Sequence, residues 1–347
     1  MRQMLDVLHK PAGSRQAGEP RMNTPDLVII TVAGKVAHPT SRRAPYRIGQ
    51  DGIPRVLPGT GGVVINRRVG DRCIGLAADH LEPGVSVRND QRPVKGDKDG
   101  PNLALNTYAC VGNTALVLDG PCRGSKGVVT GKHGGVNHVL VDFPTTVLKK
   151  LRIGDNVQIY AHGIGLRLPD YPGLSVYNCS PGLIQHWGLQ AGRSHLQVPV
   201  THLLPAAIMG SGLGRDNAAR GDYDIQLFDP VVRRQLRLDT LRFGDLVAIL
   251  HADTRFGRAY HKGFMTIGIV VHGDSTVSGH GPGVVTLLTG EARYLQPIRD
   301  NNANLAAILK LRAPRPAAPH APLIAKEQRQ TLRPAARRKR PSLFRVE

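Results

Sequence analysis

Short apolar runs rich in Val, Ile and Leu recur along this chain, and each is soon closed by Gly, Pro, Asp or Asn. LVIITVAG from Leu27, GGVVINRRV from Gly61, ALVLDG from Ala115, KGVVTG from Lys126 and HVLVDF from His138 belong to the series. DNVQIYA from Asp155, DLVAILHA from Asp245, FMTIGIVVHG from Phe264 and GVVTLLTG from Gly283 continue it. Runs of this length, bounded by turn residues, are strands rather than long helices. Forty glycines and 26 prolines in 347 residues fit the many turns such strands need. The expected fold is therefore mainly β, built of linked barrel- or sandwich-like units with a few short helices. Aromatic residues are only 4 % of the chain, so the core must be aliphatic.

Helix signals are sparse. Asp229-Pro230 supplies an N-cap and a first-turn proline before VVRRQL, and Ser180-Pro181 does the same before GLIQHW. NANLAAILKL, from Asn302, has helical spacing at Leu305, Ile308 and Leu309. A weak internal repeat relates FPTTVLKKLRIGDNVQIYAHG (143–163) to FDPVVRRQLRLDTLRFGDLVAILHAD (228–253). Each reads as a short basic helix, then Leu-Arg-apolar-Gly-Asp and a strand; Gly70-Asp71 is expected to open a further strand without the helix. The chain divides into a flexible N-terminal extension (1–24), two β-rich halves (25–165 and 166–312) and a basic disordered tail (313–347).

The net charge is +20, unevenly spread: residues 310–347 carry +9 and residues 1–24 carry +2, leaving +9 on the body. The tail RPAARRKRPSLFRVE could hold nucleic acid or acidic surfaces in a strongly salt-dependent way. Cys73, Cys110, Cys122 and Cys179 form no CxxC pair, so a disulfide framework is not expected. No segment approaches the ~20 apolar residues of a membrane span, and MRQMLDVLHKPAGS lacks the apolar core of a signal peptide. A soluble, cytoplasmic protein is expected.

Four stretches carry the chemistry. MGSGLGRDNAARGDYDIQLFD, Met209 to Asp229, holds four glycines (Gly210, Gly212, Gly214, Gly221) and four aspartates (Asp216, Asp222, Asp224, Asp229). Each glycine costs about 0.5–1 kcal/mol in a regular element, so such a loop exists where backbone approaches something closely. GKHGGVNHVLVD contains His133 and His138, the latter on the same strand face as Asp142. HGDSTVSGHGPGV, from His272, places two histidines and several glycines at the end of a buried-looking strand. Asp79-His80-Leu81-Glu82 packs three cation-capable side chains together. His251, Asp253 and His261 lie near the third stretch in sequence. No HExxH, GxSxG, Walker or dinucleotide motif is present.

These residues suggest a cation-assisted enzyme acting on a small polar substrate. Asp222, Asp224, His133 and His280 are the catalytic candidates. Gly212, Gly214, Asn217, Gly281 and Gly283 are candidates for holding substrate or an oxyanion. Asp222, Asp224, His80 and Asp79 are the candidate ligands of a divalent cation. A second reading is an RNA- or ribosome-associated binding protein, and a third a structural protein whose loops close an oligomer interface. The expected partners are a small-molecule substrate, nucleic acid through the tail, and further copies of the chain, with no membrane.

Three resemblances add to this. GKVAHPTSRRAPYRIGQDGIPRVLPGTGG, ADHLEPGVS, TGKHGG, MGSGLGRDNAARGDYDIQLFD and GHGPGV, within about residues 26–305, resemble an uncharacterised prokaryotic family catalogued as a domain of unknown function. LLPAAIMGSGLGRDNAARGDYDI remotely resembles the G-D-x-H-x-x-Q-G-D-G-E loop of acetamidase/formamidase-type amide hydrolases. That match pairs Gly214, Asn217, Gly221, Asp222 and Asp224 with the family's Gly, His, Gly, Asp and Glu, and implies amide or other C–N hydrolysis. His133-Gly134-Gly135 with Asn137 is similar to the same enzymes' H-G-G-N segment, whereas Arg215 and Asn217 depart from the pattern. LDGPCRGSKGVVTGKHG (118–134), in the N-terminal half, looks like a KOW hairpin, which implies that Arg123, Lys126 and Lys132 face phosphate.

Overall fold

The computed structural model describes residues 18–41, 46–91, 100–214, 218–312 and the backbone of 321–322. The tail from residue 313, apart from that short backbone piece, and Arg215, Asp216 and Asn217 lie outside the described residues, as does the extension before Gly18. The protein is mainly β, with a closed six-strand barrel, a half-barrel and a few short helices.

The barrel occupies the N-terminal half. It comprises β1 (Ile29–Val36), β5 (Gly84–Arg88), β6 (Thr114–Val117), β7 (Lys126–His133), β8 (His138–Asp142) and β9 (Asn156–His162). The sheet order is β1-β9-β6-β7-β8-β5, and pairing of β1 with β5 closes the ring. β2 (Arg47–Ile48) and β3 (Pro54–Arg55) form a small hairpin, and β4 (Val63–Val64) pairs with β5. Alternation fills the barrel: Val157, Ile159 and Ala161 of β9 are buried while their neighbours are not, as period-two side chains require. Val85, Val87, Val129, Val139, Val141 and Phe143 complete that mainly aliphatic core with Leu105 of the helix Gly100–Tyr108.

The half-barrel orders β13 (His202–Pro205), β16 (Leu246–Asp253), β17 (Ala259–Val270), β18 (Gly283–Glu291), β15 (Asp222–Ile225) and β14 (Met209–Gly212), with β10 (Leu174–Val176) on β18. A third sheet joins β11 (Gln190–Ala191), β12 (Leu196–Val200), β19 (Leu295–Arg299) and β20 (Ala321–Pro322). The central strands read as continuous apolar runs because both faces are covered. Leu246, Ala248 and Leu250 enter one core cluster, and Val247 and Ile249 enter another.

Local sequence rules account for the short helices. The Ser180 side chain accepts from Leu183 N, and Asp229 accepts from Val231 and Val232 N, so both caps form as the sequence requires. NANLAAILKL keeps helix only over Leu305–Ile308, capped by Asn304. The three Gly-Asp turns share one geometry. Asp71, Asp155 and Asp245 each accept from the backbone N–H three residues earlier, on Arg68, Arg152 and Arg242, while Gly70, Gly154 and Gly244 take positive φ. Two of them launch β9 and β16. After Asp71 the chain makes only an isolated bridge, Arg72 to Arg242, so the further strand expected there does not form.

Residues 18–24 lie against the body, Arg21 bonding Asp170 and Met22 packing on the core. All four cysteines are free and buried. Among the described residues no helix is long and apolar enough to cross a membrane. Where the halves meet, packing is close: a Cβ on Gly131, at the β7 bulge, would lie 2.2 Å from Val271 Cγ1.

Candidate metal centre

At that seam four segments deliver histidine and carboxylate side chains to one place. The loop before β5 brings His80 and Glu82, and the end of β7 brings His133. β15 brings Asp222 and Asp224, which project to the same face because they are two residues apart on a strand. The connection from β17 to β18 brings His272 and His280. The neighbouring cavity, of about 460 Å³, is lined by His80, His133, Asp222, Asp224 and His280 together with Arg47. Gly212, Gly214 and Gly221 also line it.

Two groups of potential ligand atoms result: His80, Asp224 and His280, and His133, Asp222 and His272; within each group the atoms lie within 4.8 Å of one another. His280 Nδ1 is 2.9 Å from Asp224 Oδ2 and 3.0 Å from His80 Nε2. His272 Nε2 is 2.8 Å from Asp222 Oδ2 and 3.4 Å from Asp224 Oδ1.

Each imidazole is oriented from behind. Glu82, fully buried, accepts from His133 Nδ1 at 2.6 Å and from His138 Nδ1 at 2.9 Å, and also from Gly61 N and Ser86 Oγ. His272 Nδ1 donates to Gly273 O at 2.9 Å, and His80 Nδ1 lies 3.2 Å from Asp79 Oδ1. These bonds occupy Nδ1 of His80, His133 and His272, so that Nε2 is the ring nitrogen each presents to the other members of the cluster. Metal-binding histidines characteristically have such outer partners. His272 Nε2 is buried and makes no hydrogen bond; it sits within ion-pair range of Asp222 but out of line for a bond. A buried polar atom without a hydrogen bond calls for an explanation, and an ion is one.

The carboxylates are equally constrained. Asp222 Oδ1 accepts from Gly134 N at 2.6 Å, which is what the His-Gly-Gly segment contributes. Gly283 stands opposite Asp224 in the β15–β18 register, and a Cβ there would lie 2.1 Å from both Asp222 Oδ2 and His272 Nε2. Only glycine lets these ligands converge.

Electrostatics follow the geometry. Burial alone would raise Asp224, but the imidazoles of His272, His280 and His80 hold it far below the carboxylate range. Burial would likewise raise Glu82, yet His133 and His138 hold it well below its ordinary value. Burial would lower His272, but the Asp222 and Asp224 carboxylates push it well above its ordinary value. His133 goes the other way, lowered by burial and by His272, against the pull of Glu82.

The structure thus gathers His80, His133, His280, Asp222 and Asp224 at one cavity. Asp79 stands behind His80, bonded to Arg47 at 2.5 Å and to Ser275, rather than in either ligand group. Gly281 N–H donates to Asp224 Oδ2 and Gly283 sits within β18, so these two glycines position carboxylates instead of facing a substrate oxyanion. Asp142 shares no site with His138; it pairs with Arg68. Asp253 binds Arg255 and His261. The Lys132 ammonium does not face phosphate: it is fully buried, donating to Asn178 Oδ1 and Ala219 O at 2.6 Å, and burial pushes it down to about 8. Arg123 and Lys126 are exposed.

Sequence reasoning did not single out His272 as a ligand or Glu82 as an orienting group. His272 was legible only as a histidine following a buried strand. Glu82 reads as one more acid beside His80 until folding places two imidazoles on it.

Comparison with known proteins places this architecture. No curated protein matches the chain. The crystal structure of TM1086 superposes with a TM-score of 0.78 at 41 % sequence identity, covering 83 % of this chain and 99 % of that one. The N-terminal domain of unknown function DUF4438 matches residues 46–185, and its C-terminal counterpart matches residues 186–309, so that His80 and His133 come from the first match and Asp222, Asp224, His272 and His280 from the second. The chain belongs to the DUF4438 family.

Proposed function

We propose that the protein is a cation-assisted hydrolase acting on a small polar substrate in the cavity beside His80, His133 and Asp222. The observation that carries this reading is His272 Nε2, buried and without a hydrogen bond, beside two carboxylates and among imidazoles whose Nδ1 atoms are engaged elsewhere. Imidazole and carboxylate donors without thiolate suit Zn²⁺, Fe²⁺ or Mn²⁺. A cation there lowers the pKa of a bound water toward neutrality and polarises a carbonyl oxygen. The substrate enters past Arg47, whose guanidinium is about one-third exposed and pairs with Asp79. The likeness of the Gly/Asp loop to amide hydrolases makes the amide or related C–N bond the first substrate class to test.

The test is elemental analysis of the purified chain beside Asp222→Ala, with a screen of simple amides before and after chelation. Bound metal that is lost in the variant, with hydrolysis abolished by chelator and restored by Zn²⁺ or Mn²⁺, is the expected result. Metal retained in full by Asp222→Ala, or hydrolysis indifferent to chelation, overturns the proposal.

A further inference from the structure

We infer that the centre takes two cations, with the Asp224 carboxylate bridging them. This deepens the hydrolase reading and rests on it.

The ligand set is duplicated. Each of the two groups contains two imidazoles and one carboxylate, and no side chain is common to both. Each group also has its own supporting carboxylate: Asp79 behind His80 in one and Glu82 behind His133 in the other. Four carboxylates thus stand within two bonds of the ligand shell, which matches the charge of two divalent ions better than that of one. Arg47 offsets part of the Asp79 charge.

The spacings agree. A tetrahedral ion holding ligands at about 2.0–2.1 Å separates them by roughly 3.3 Å. In the first group the three separations are 2.9, 3.0 and 3.7 Å. In the second, Asp222 Oδ2 and His272 Nε2 are 2.8 Å apart and the His133 ligand atom lies within 4.8 Å of both. Asp224 connects the two, since Oδ2 faces His80 and His280 while Oδ1 lies 3.4 Å from His272 Nε2. A carboxylate offering one oxygen to each ion is a natural bridge for a pair about 3.5–4 Å apart.

A single ion leaves one group unexplained. Placed with His80 and His280, it leaves the buried His272 Nε2 without a hydrogen bond, in ion-pair range of Asp222 and Asp224 alone. Placed with His133 and His272, it leaves His80 Nε2, His280 Nδ1 and Asp224 Oδ2 gathered at ligand spacing with only hydrogen bonds among themselves.

The experiment strips the full-length protein with chelator, reloads it with Mn²⁺, and counts bound ions after equilibrium dialysis. Two equivalents per chain are expected, with an electron paramagnetic resonance spectrum of a spin-coupled pair. His280→Ala and His133→Ala should each retain about one equivalent and give an uncoupled spectrum. One equivalent in the wild type, lost in both variants, overturns the two-ion inference and leaves the hydrolase reading standing. No bound ion overturns both. The wild-type stoichiometry and spectrum decide the matter even where a variant fails to fold.

Discussion

Glu82 accepts the Nδ1–H of His133 at 2.6 Å in a site where the carboxylate has no solvent exposure at all. A buried carboxylate is costly unless its lone pairs are filled, and here four donors fill them. The consequence for His133 is a fixed tautomer, with Nε2 unprotonated toward Asp222 and His272. Glu82→Gln keeps the shape but replaces one acceptor oxygen with an amide that faces donors. Cation affinity, measured by competition with a chelating dye, should fall about 10- to 100-fold while far-UV circular dichroism stays native. Unchanged affinity would mean that Glu82 serves the barrel and not the centre.

Gly283 tests the steric side of the same arrangement. Its missing Cβ would overlap Asp222 Oδ2 and His272 Nε2, both 2.1 Å away. Gly283→Ala must push those atoms apart, at a cost of about 1–3 kcal/mol for an overpacked position. The expected outcome is a folded chain with a lowered melting temperature and no high-affinity cation. A variant that binds cations as the wild type does would show that the ligands need not converge as they do here.

How far the sequence could be read differs between fold and site. Strands such as DNVQIYA and TIGIVV were legible because alternation and flanking turns are local properties, and so were the caps at Ser180 and Asp229. Barrel closure was not, because pairing of Lys35 and Val36 with Arg88 and Val87 depends on contacts about fifty residues apart in sequence. Asp222 and Asp224 stood out through their glycine-rich surroundings. Their partner His272 did not, since one histidine after a strand looks like any other until β18 returns beside it. Lys132 misled: in sequence it extends a basic hairpin and shares a period-two face with Lys126, but the bulge between Val129 and Gly131 interrupts that alternation and the ammonium is buried on Asn178.

His202 gives a pH dependence independent of the centre. Burial pushes its imidazole down to about 4, and the charges of Arg299, Arg242 and Arg237 act in the same direction against the Arg237 carbonyl. In the unfolded chain the group titrates near its ordinary value of about 6.5. Between these two values the unfolded state binds the extra proton, so stability falls as pH falls through the window and the loss is complete below about 4. The magnitude is about 3 kcal/mol. Urea denaturation of wild type and His202→Gln from pH 7 to pH 4 should give curves whose difference grows toward acid. Parallel curves would show that His202 carries its proton equally in both states.

Cation binding itself should release protons. In the ion-free chain burial disfavours the charged His272, but Asp222 and Asp224 outweigh it and hold the imidazole well above its ordinary value, which favours its protonated form. Its Nδ1–H is committed to Gly273 O, and the proton a cation displaces is therefore the one on Nε2. His80 is raised by Asp224 and Asp79 against burial and adds to the effect, whereas His133 is lowered and does not. Affinity should accordingly rise with pH through neutrality. Calorimetric titration with Zn²⁺ in buffers of different ionisation enthalpy should show heats that vary with the buffer in the sense of proton release, and the slope should shrink in His272→Ala. Heats independent of buffer would mean that His272 enters the centre already neutral, and that the carboxylates beside it do not set its charge.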